Sequence, residues 1–156
     1  MGSYGSCNFD GLKDLKRNLS KLEDKKVDQF MEACAKELAA RLLAKVIKRT
    51  PVGVYPSGSG KVGGTLRRGW TAGKNQNATN YAKSLQIQHV GDVYKIVITN
   101  PVEYASYVEF GHRTRNHKGW VEGKFMMTIS EQEIQTIAPR VLESKIKKLL
   151  GECFTW

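Results

Sequence analysis

The side chains able to do chemistry gather in the stretch NPVEYASYVEFGHRTRNHKG, Asn100 to Gly119, where two of the three histidines, His112 and His117, follow two glutamates, Glu103 and Glu109. A histidine near a carboxylate could serve general acid–base catalysis. Two histidines could begin a metal site, but a metal needs several ligands converging on one ion. His112 and His117 stand five residues apart among Arg113, Arg115 and Lys118, whose charges oppose a further cation, and no cysteine or carboxylate cluster completes the set. No metal and no cofactor is expected. A glycosidase needs two carboxylates facing each other. Glu103 and Glu109 are six residues apart, about 600° of helical rotation, and point in different directions. Glu109 is expected to pair with Arg113, Arg115 or a neighbouring subunit. A small hydrolase built on His112 and Glu109 would require one cleft holding both. No nucleophile elbow is present, and GSGK at 58–61 lacks the spacing of a Walker loop. The chain reads as a non-enzyme.

Charge and aromatics point to binding instead. The formal charge is +10, from 25 basic and 15 acidic residues. Residues 51–120 carry 9 basic and 3 acidic groups, so the excess lies where glycine-rich loops are expected. Arg67, Arg68, Lys74, Arg113, Arg115 and Lys118 could contact phosphate, with Trp70 and Trp120 stacking on bases. No helix-turn-helix, zinc finger or OB signature accompanies them, so any DNA contact is expected to be non-specific. Arginine and aromatic side chains are equally the anchors of protein–protein interfaces, and this is the favoured reading. Cys7, Cys34 and Cys153 show no CxxC spacing, and Cys34 falls on an apolar helical face as a buried thiol. The first residues, MGSYGSCNFDG, lack the apolar run of a secretory signal, and no stretch approaches the length of a membrane span.

The elements that must position these residues follow from periodicity. Leu12, Leu15, Leu19 and Leu22 form one helical face after a cap at Asp10, and Val27, Phe30, Cys34, Leu38, Leu42 and Val46 form another after Asp24. Helices near 11–23 and 25–49 are expected, the second stopping at Thr50-Pro51. Residues 51–64 are rich in proline and glycine and read as a flexible arm. Leu66 to Thr71 reads as a short strand. Ser84 to Val90 and Val93 to Thr99 alternate as an antiparallel hairpin turning at Gly91-Asp92, its second strand central under helices. Val102 to Phe110 reads as a short helix with Tyr104, Tyr107, Val108 and Phe110 inward, capped by Gly111. Residues 112–119 form a basic loop. Ser130 and Glu133 have capping-box spacing, ahead of a helix carrying Ile134, Ile137, Val141, Lys145 and Leu149, with Leu142 and Ile146, kinked or restarted at Pro139. The fold class is α+β, a small antiparallel sheet packed against a long N-terminal helix and a C-terminal helix.

These residues resemble a family of tailed-phage proteins, the HK97 gp10-like family, whose first motif runs TPVDTGxLRxSW. The match is Thr50-Pro51-Val52, an inserted arm from Gly53 to Val62, then Gly63-Gly64-Thr65-Leu66-Arg67-Arg68-Gly69-Trp70. A second motif, NxxxYAxYVExG, matches Asn100, Tyr104-Ala105, Tyr107-Val108-Glu109 and Gly111, and GWVEGKFMMTIS at 119–130 takes the place of the usual aromatic-proline-leucine segment. Gly53 replaces the usual aspartate, so no role of that aspartate carries over, and His112 stands where threonine is common. The resemblance covers about residues 10 to 150. It implies one gp10-like domain at 10–150 with a flexible arm at about 51–65, between a tail at 1–9 and a C-terminal tail at 151–156. It also implies a non-enzymatic subunit of the virion at the head–tail junction, assembled in the host cytoplasm of a Gram-positive bacterium, in tail completion or head–tail joining. The implied partners are head–tail connector, tail terminator or tail tube proteins, with a homo-hexameric ring on assembly and no membrane. Tyr104, Tyr107, Phe110 and Trp120 would anchor the second loop to the core. Arg67, Arg68, Arg113 and Arg115 would form salt bridges to acidic subunits or line a path for DNA. Trp70, Glu109 and His112 complete the set of expected interface residues.

Overall fold

The computed structural model describes residues 24–153. The element order is α1 (Asp24–Arg49), α2 (Thr65–Gly69), α3 (Ala78–Ser84), β1 (Gln88–Val90), β2 (Val93–Lys95), α4 (Ala105–Phe110), β3 (Gly111–Arg113), β4 (Trp120–Glu122) and α5 (Met126–Cys153). The fold is α+β, with two long helices and small antiparallel sheets. The expected leucine-striped helix at 11–23, the tail at 1–9 and residues 154–156 lie outside the described residues, and residues 151–153 of the expected C-terminal tail continue α5.

Helix α1 forms over the expected span, but its buried side is shifted from the expected stripe. Cys34 and Val46 are buried, Phe30, Leu38 and Leu42 are half-buried and Val27 is exposed, while Ala39 and Leu43 take the core positions. Cys34, Ala39, Leu43 and Val46 are buried, and Leu43 and Val46 are fully so, each contributing about 1.5–3 kcal/mol of burial. Burial raises the Cys34 thiol pKa, which keeps it a thiol. Helix α3 packs on α1 through Ala82 and its partly buried neighbours Ala78, Tyr81 and Leu85. These positions have helical spacing, and Asn77 caps them by accepting the Asn80 N–H at 2.8 Å. The sequence reading missed this helix because its exposed positions are so polar.

Four other expectations change. Leu66–Thr71 is helical in α2 over Thr65–Gly69, since Leu66, Gly69 and Trp70, at spacings of three and four, form its buried side. A window this short fits either period. The single sheet with a central second strand is replaced by two separate two-stranded sheets, β1–β2 and β3–β4. The first pairs Gln88 with Lys95, His89 with Tyr94 and Val90 with Val93, so the turn at Gly91-Asp92 stands. The basic loop is instead a hairpin, pairing Gly111 with Glu122, His112 with Val121 and Arg113 with Trp120. Finally, Ser130 is not a helix start, because α5 begins at Met126 and runs through Pro139 without a break.

Helix α5 packs against α1; on it Ile134 is buried, Ile137, Val141 and Leu142 are half-buried and Ile146 is exposed. It is clamped by charge. Glu133 meets Lys45 Nζ and Arg49 Nη2, each at 2.7 Å, and Lys145 meets Glu37 at 2.6 Å. Ser130 Oγ, buried in this seam, accepts from Arg49 Nη1 at 3.0 Å and donates to the Met126 carbonyl.

Candidate protein-interaction face

The two sequence motifs meet in space as scaffolding. Thr50 ends α1 fully buried, and its hydroxyl donates to the Val46 carbonyl at 2.6 Å while accepting the Trp70 indole N–H at 2.7 Å. Arg67 donates twice to the Thr50 carbonyl, from Nε at 3.1 Å and Nη2 at 2.7 Å. The base of the 51–64 arm is thereby closed. Asn100 joins the second motif to the first, donating from Nδ2 to the Leu66 carbonyl at 2.8 Å and accepting the Val102 N–H at 3.2 Å. Its amide lies so close to Gly69 that a Cβ there would collide with it. Thr50 and Asn100 open the two motifs, and their role in the frame is one the sequence alone did not assign. Their partners are up to 34 residues away, so the motifs mark the residues but not the bonds they make.

Glu109 is buried, with partners other than arginine. Its carboxylate accepts the Met127 N–H at 2.9 Å, the Thr128 N–H at 2.9 Å and the Thr128 hydroxyl at 2.8 Å. A carboxylate at the first turn of a long helix satisfies free amides and complements the helix dipole. Main-chain bonds run alongside, from Lys124 N–H to the Val108 carbonyl at 2.7 Å and from Phe125 N–H to the Glu109 carbonyl at 3.0 Å. Gly111 turns the chain out of α4 at φ +84°, where an added Cβ would meet the Val121 carbonyl. The glutamate and glycine of the second motif thus weld α4, the β3–β4 hairpin and α5 into one unit.

With Glu109 facing inward beside Ala105 and Val108, the aromatics of α4 face outward. Tyr104, Tyr107 and Phe110 are 45, 59 and 61% exposed, and Trp120 on β4 is 56% exposed. The expectation that these four anchor the loop to the core is overturned. Their bulk suggested an inward side, but the helix is rotated to deliver the carboxylate. His112 is half-buried, its ring 5.6 Å from that of Tyr107 and its Nδ1 3.4 Å from the Tyr107 carbonyl. Arg113 and Arg115 are exposed, and no ion pair among the described residues includes them or Lys118. Arg68 is exposed and donates to the Gly63 carbonyl at 3.2 Å. Of the expected interface residues, Arg67, Trp70 and Glu109 serve the frame, Tyr104 lines a groove with the 51–64 arm, Tyr107 meets His112, and Trp120 lies opposite Arg113 in the hairpin, with Phe110 and Arg115 exposed nearby in sequence.

Glu109 has three donors on its carboxylate and does not face His112 across a cleft. No group of three or more metal-ligating side chains occurs among the described residues. A cavity of about 610 Å³ lies between α1, α3 and α5, lined by Ala33, Ala40, Ala44 and Thr79 with charged groups around it and no histidine. No helix among the described residues is long and apolar enough to cross a membrane.

The model of the HK97-gp10-like family, described by reference to bacteriophage HK97 gp10 and a tail component, matches residues 13–111. That span includes both motifs whose geometry is given above, and the chain belongs to this family. Comparison with curated proteins and with solved structures gave no match. Family membership supports a structural or assembly role in a phage.

Proposed function

We propose that this HK97-gp10-like protein is a structural subunit of the phage head–tail junction, acting in tail completion or head–tail joining by protein–protein docking. The observation that carries this reading is the exposure of aromatic and basic side chains along α4 and both sides of the β3–β4 hairpin. Tyr107, Phe110 and Trp120 are each more than half exposed, Arg113 and Arg115 are exposed, and Arg113 lies opposite Trp120. The frame behind them is hydrogen-bonded through Glu109, Thr50 and Asn100. Exposed aromatics and arginines on a rigid support are what a desolvating protein interface uses. Their positive charge fits an acidic neighbour such as a connector, tail terminator or tail tube subunit. The chain would be carried in the virion after assembly in the bacterial cytoplasm, in a ring matching the tail axis.

The test leaves Arg67 intact, because it holds the frame. Replacing Arg68, Arg113 and Arg115 together by alanine is expected to preserve the circular dichroism spectrum and to leave heads and tails unjoined in an infected culture. Normal particle yield from that variant would remove the proposed role of this face. Tight, salt-resistant binding of purified chain to duplex DNA would favour a nucleic-acid role instead.

A further inference from the structure

The strand pattern in the sequence continues past the observed ladder. It runs from Ser84 to Val90 and from Val93 to Thr99, yet pairing ends at Gln88 and Lys95. Beyond Lys95 burial still alternates as on a strand. Ile96 and Ile98 are partly buried against the core, while Val97 and Thr99 are exposed. Among the described residues, no backbone–backbone hydrogen bond involves Ile96, Val97, Ile98 or Thr99. A β-branched segment with exposed, unpaired main-chain groups is a template for another strand. A two-stranded hairpin is also an incomplete sheet, marginal without further strands or packing.

We infer that Ile96–Thr99 is the docking edge for a β-strand from a second copy of this chain, and that the strand is β4 of that copy. Among the described residues the β3–β4 sheet has two strands, and there β4 also shows an open edge. Charge selects this pairing over two like hairpins. Asp92 lies in the β1–β2 turn, and Asp28 and Glu32 contact that hairpin through Tyr94 and His89. The β3–β4 hairpin carries Arg113, Arg115 and Lys118. Run parallel with Val97 opposite Val121, the two strands set the Arg115–Lys118 turn toward Asp92. This register leaves Lys95 opposite the uncharged Gly119 and Glu122 opposite Ile98, so opposite charges meet. It uses different surfaces on the two copies, so it propagates head to tail and closes into a ring if the rotation permits. The inference rests on the docking function proposed above and names one neighbour on that face.

The test uses the full chain. Sedimentation velocity and amide hydrogen exchange are followed as concentration is raised to the solubility limit. Larger species are expected to form while the amides of Val97 to Thr99 slow by about tenfold or more. Val97→Pro, which removes the donor and blocks an edge, should abolish both effects with the circular dichroism spectrum unchanged. Val97→Thr should retain both. In a background with Cys7, Cys34 and Cys153 changed to alanine, V97C with V121C should form a disulfide between copies. Fast exchange at every concentration, self-association insensitive to Val97→Pro, or protection that arises only when purified tail proteins are added would each overturn the inference. A failure here, with particle assembly still blocked by the surface arginine changes, would leave the docking function standing.

Discussion

Glu109 and Thr128 lie 19 residues apart and meet at the start of α5, where the carboxylate accepts both the Thr128 N–H at 2.9 Å and its hydroxyl at 2.8 Å. One buried side chain therefore fixes where the C-terminal helix starts and which side of α4 faces solvent. Glu109→Ala removes a charged cap and leaves donors at the helix terminus without it. It is expected to lower unfolding stability by about 2–3 kcal/mol. Glu109→Gln keeps the size and one acceptor and should cost about 1 kcal/mol. Urea unfolding followed by circular dichroism measures both. Equal stability for Glu109→Ala and the parent would show that the cap is dispensable.

Thr50 offers a second check on the frame. Thr50→Val keeps the shape but removes the acceptor of the buried Trp70 indole N–H. An unsatisfied buried donor costs about 1–3 kcal/mol, and that is the expected loss. Thr50→Ser retains the hydroxyl and should fall within about 1 kcal/mol of the parent. The Trp70 indole proton resonance should shift in the valine variant and hold its position in the serine variant.

The α1–α5 clamp makes stability depend on acid. Hydrogen bonds from the Lys45 ammonium, then from the Arg49 guanidinium, hold the Glu133 carboxyl below its ordinary 4.5. A folded-state pKa below the unfolded one adds stability above the unfolded value and loses it as pH falls through the folded value. Stability is therefore expected to decline on acidification below about 4.5. Glu37, lowered first by its hydrogen bond from Lys145, adds to the same decline. Denaturation midpoints measured across this range should fall less steeply in Glu133→Gln than in the parent. Parallel curves for the two proteins would argue against the clamp.

Tyr94 gives a signal at the alkaline end. Its hydrogen bond to Asp28 pushes the phenol up from 10.0 to about 12. The raised value means that the contact contributes fully below the unfolded pKa and is lost as pH rises through the folded one. Ultraviolet titration should resolve one late-ionising tyrosine in the parent. Asp28→Asn should bring it back toward the ordinary value, and an unchanged titration would place Tyr94 away from Asp28 in solution.

Much of the fold and part of the face were legible in the residues. Periodicity located the long helix and its stop at Thr50-Pro51, because an apolar stripe and a following proline act through local geometry. Gly91-Asp92 set the hairpin turn, and Gly91 adopts φ +58° there. Motif order identified the family. Other features needed distant partners. The start of α5 moved ahead of Ser130 because Glu109, brought from another segment, supplies the cap. The same carboxylate turned Tyr104, Tyr107 and Phe110 toward solvent, although their size alone suggested the core. Leu66, Gly69 and Trp70 became one side of a helix once Asn100 packed against Gly69 and Thr50 received the indole. Sequence by itself determined where apolar and turn-forming residues recur, since those preferences are local. Tertiary structure decided which side each short element shows, because a buried carboxylate or indole must be placed where its hydrogen-bond partners are.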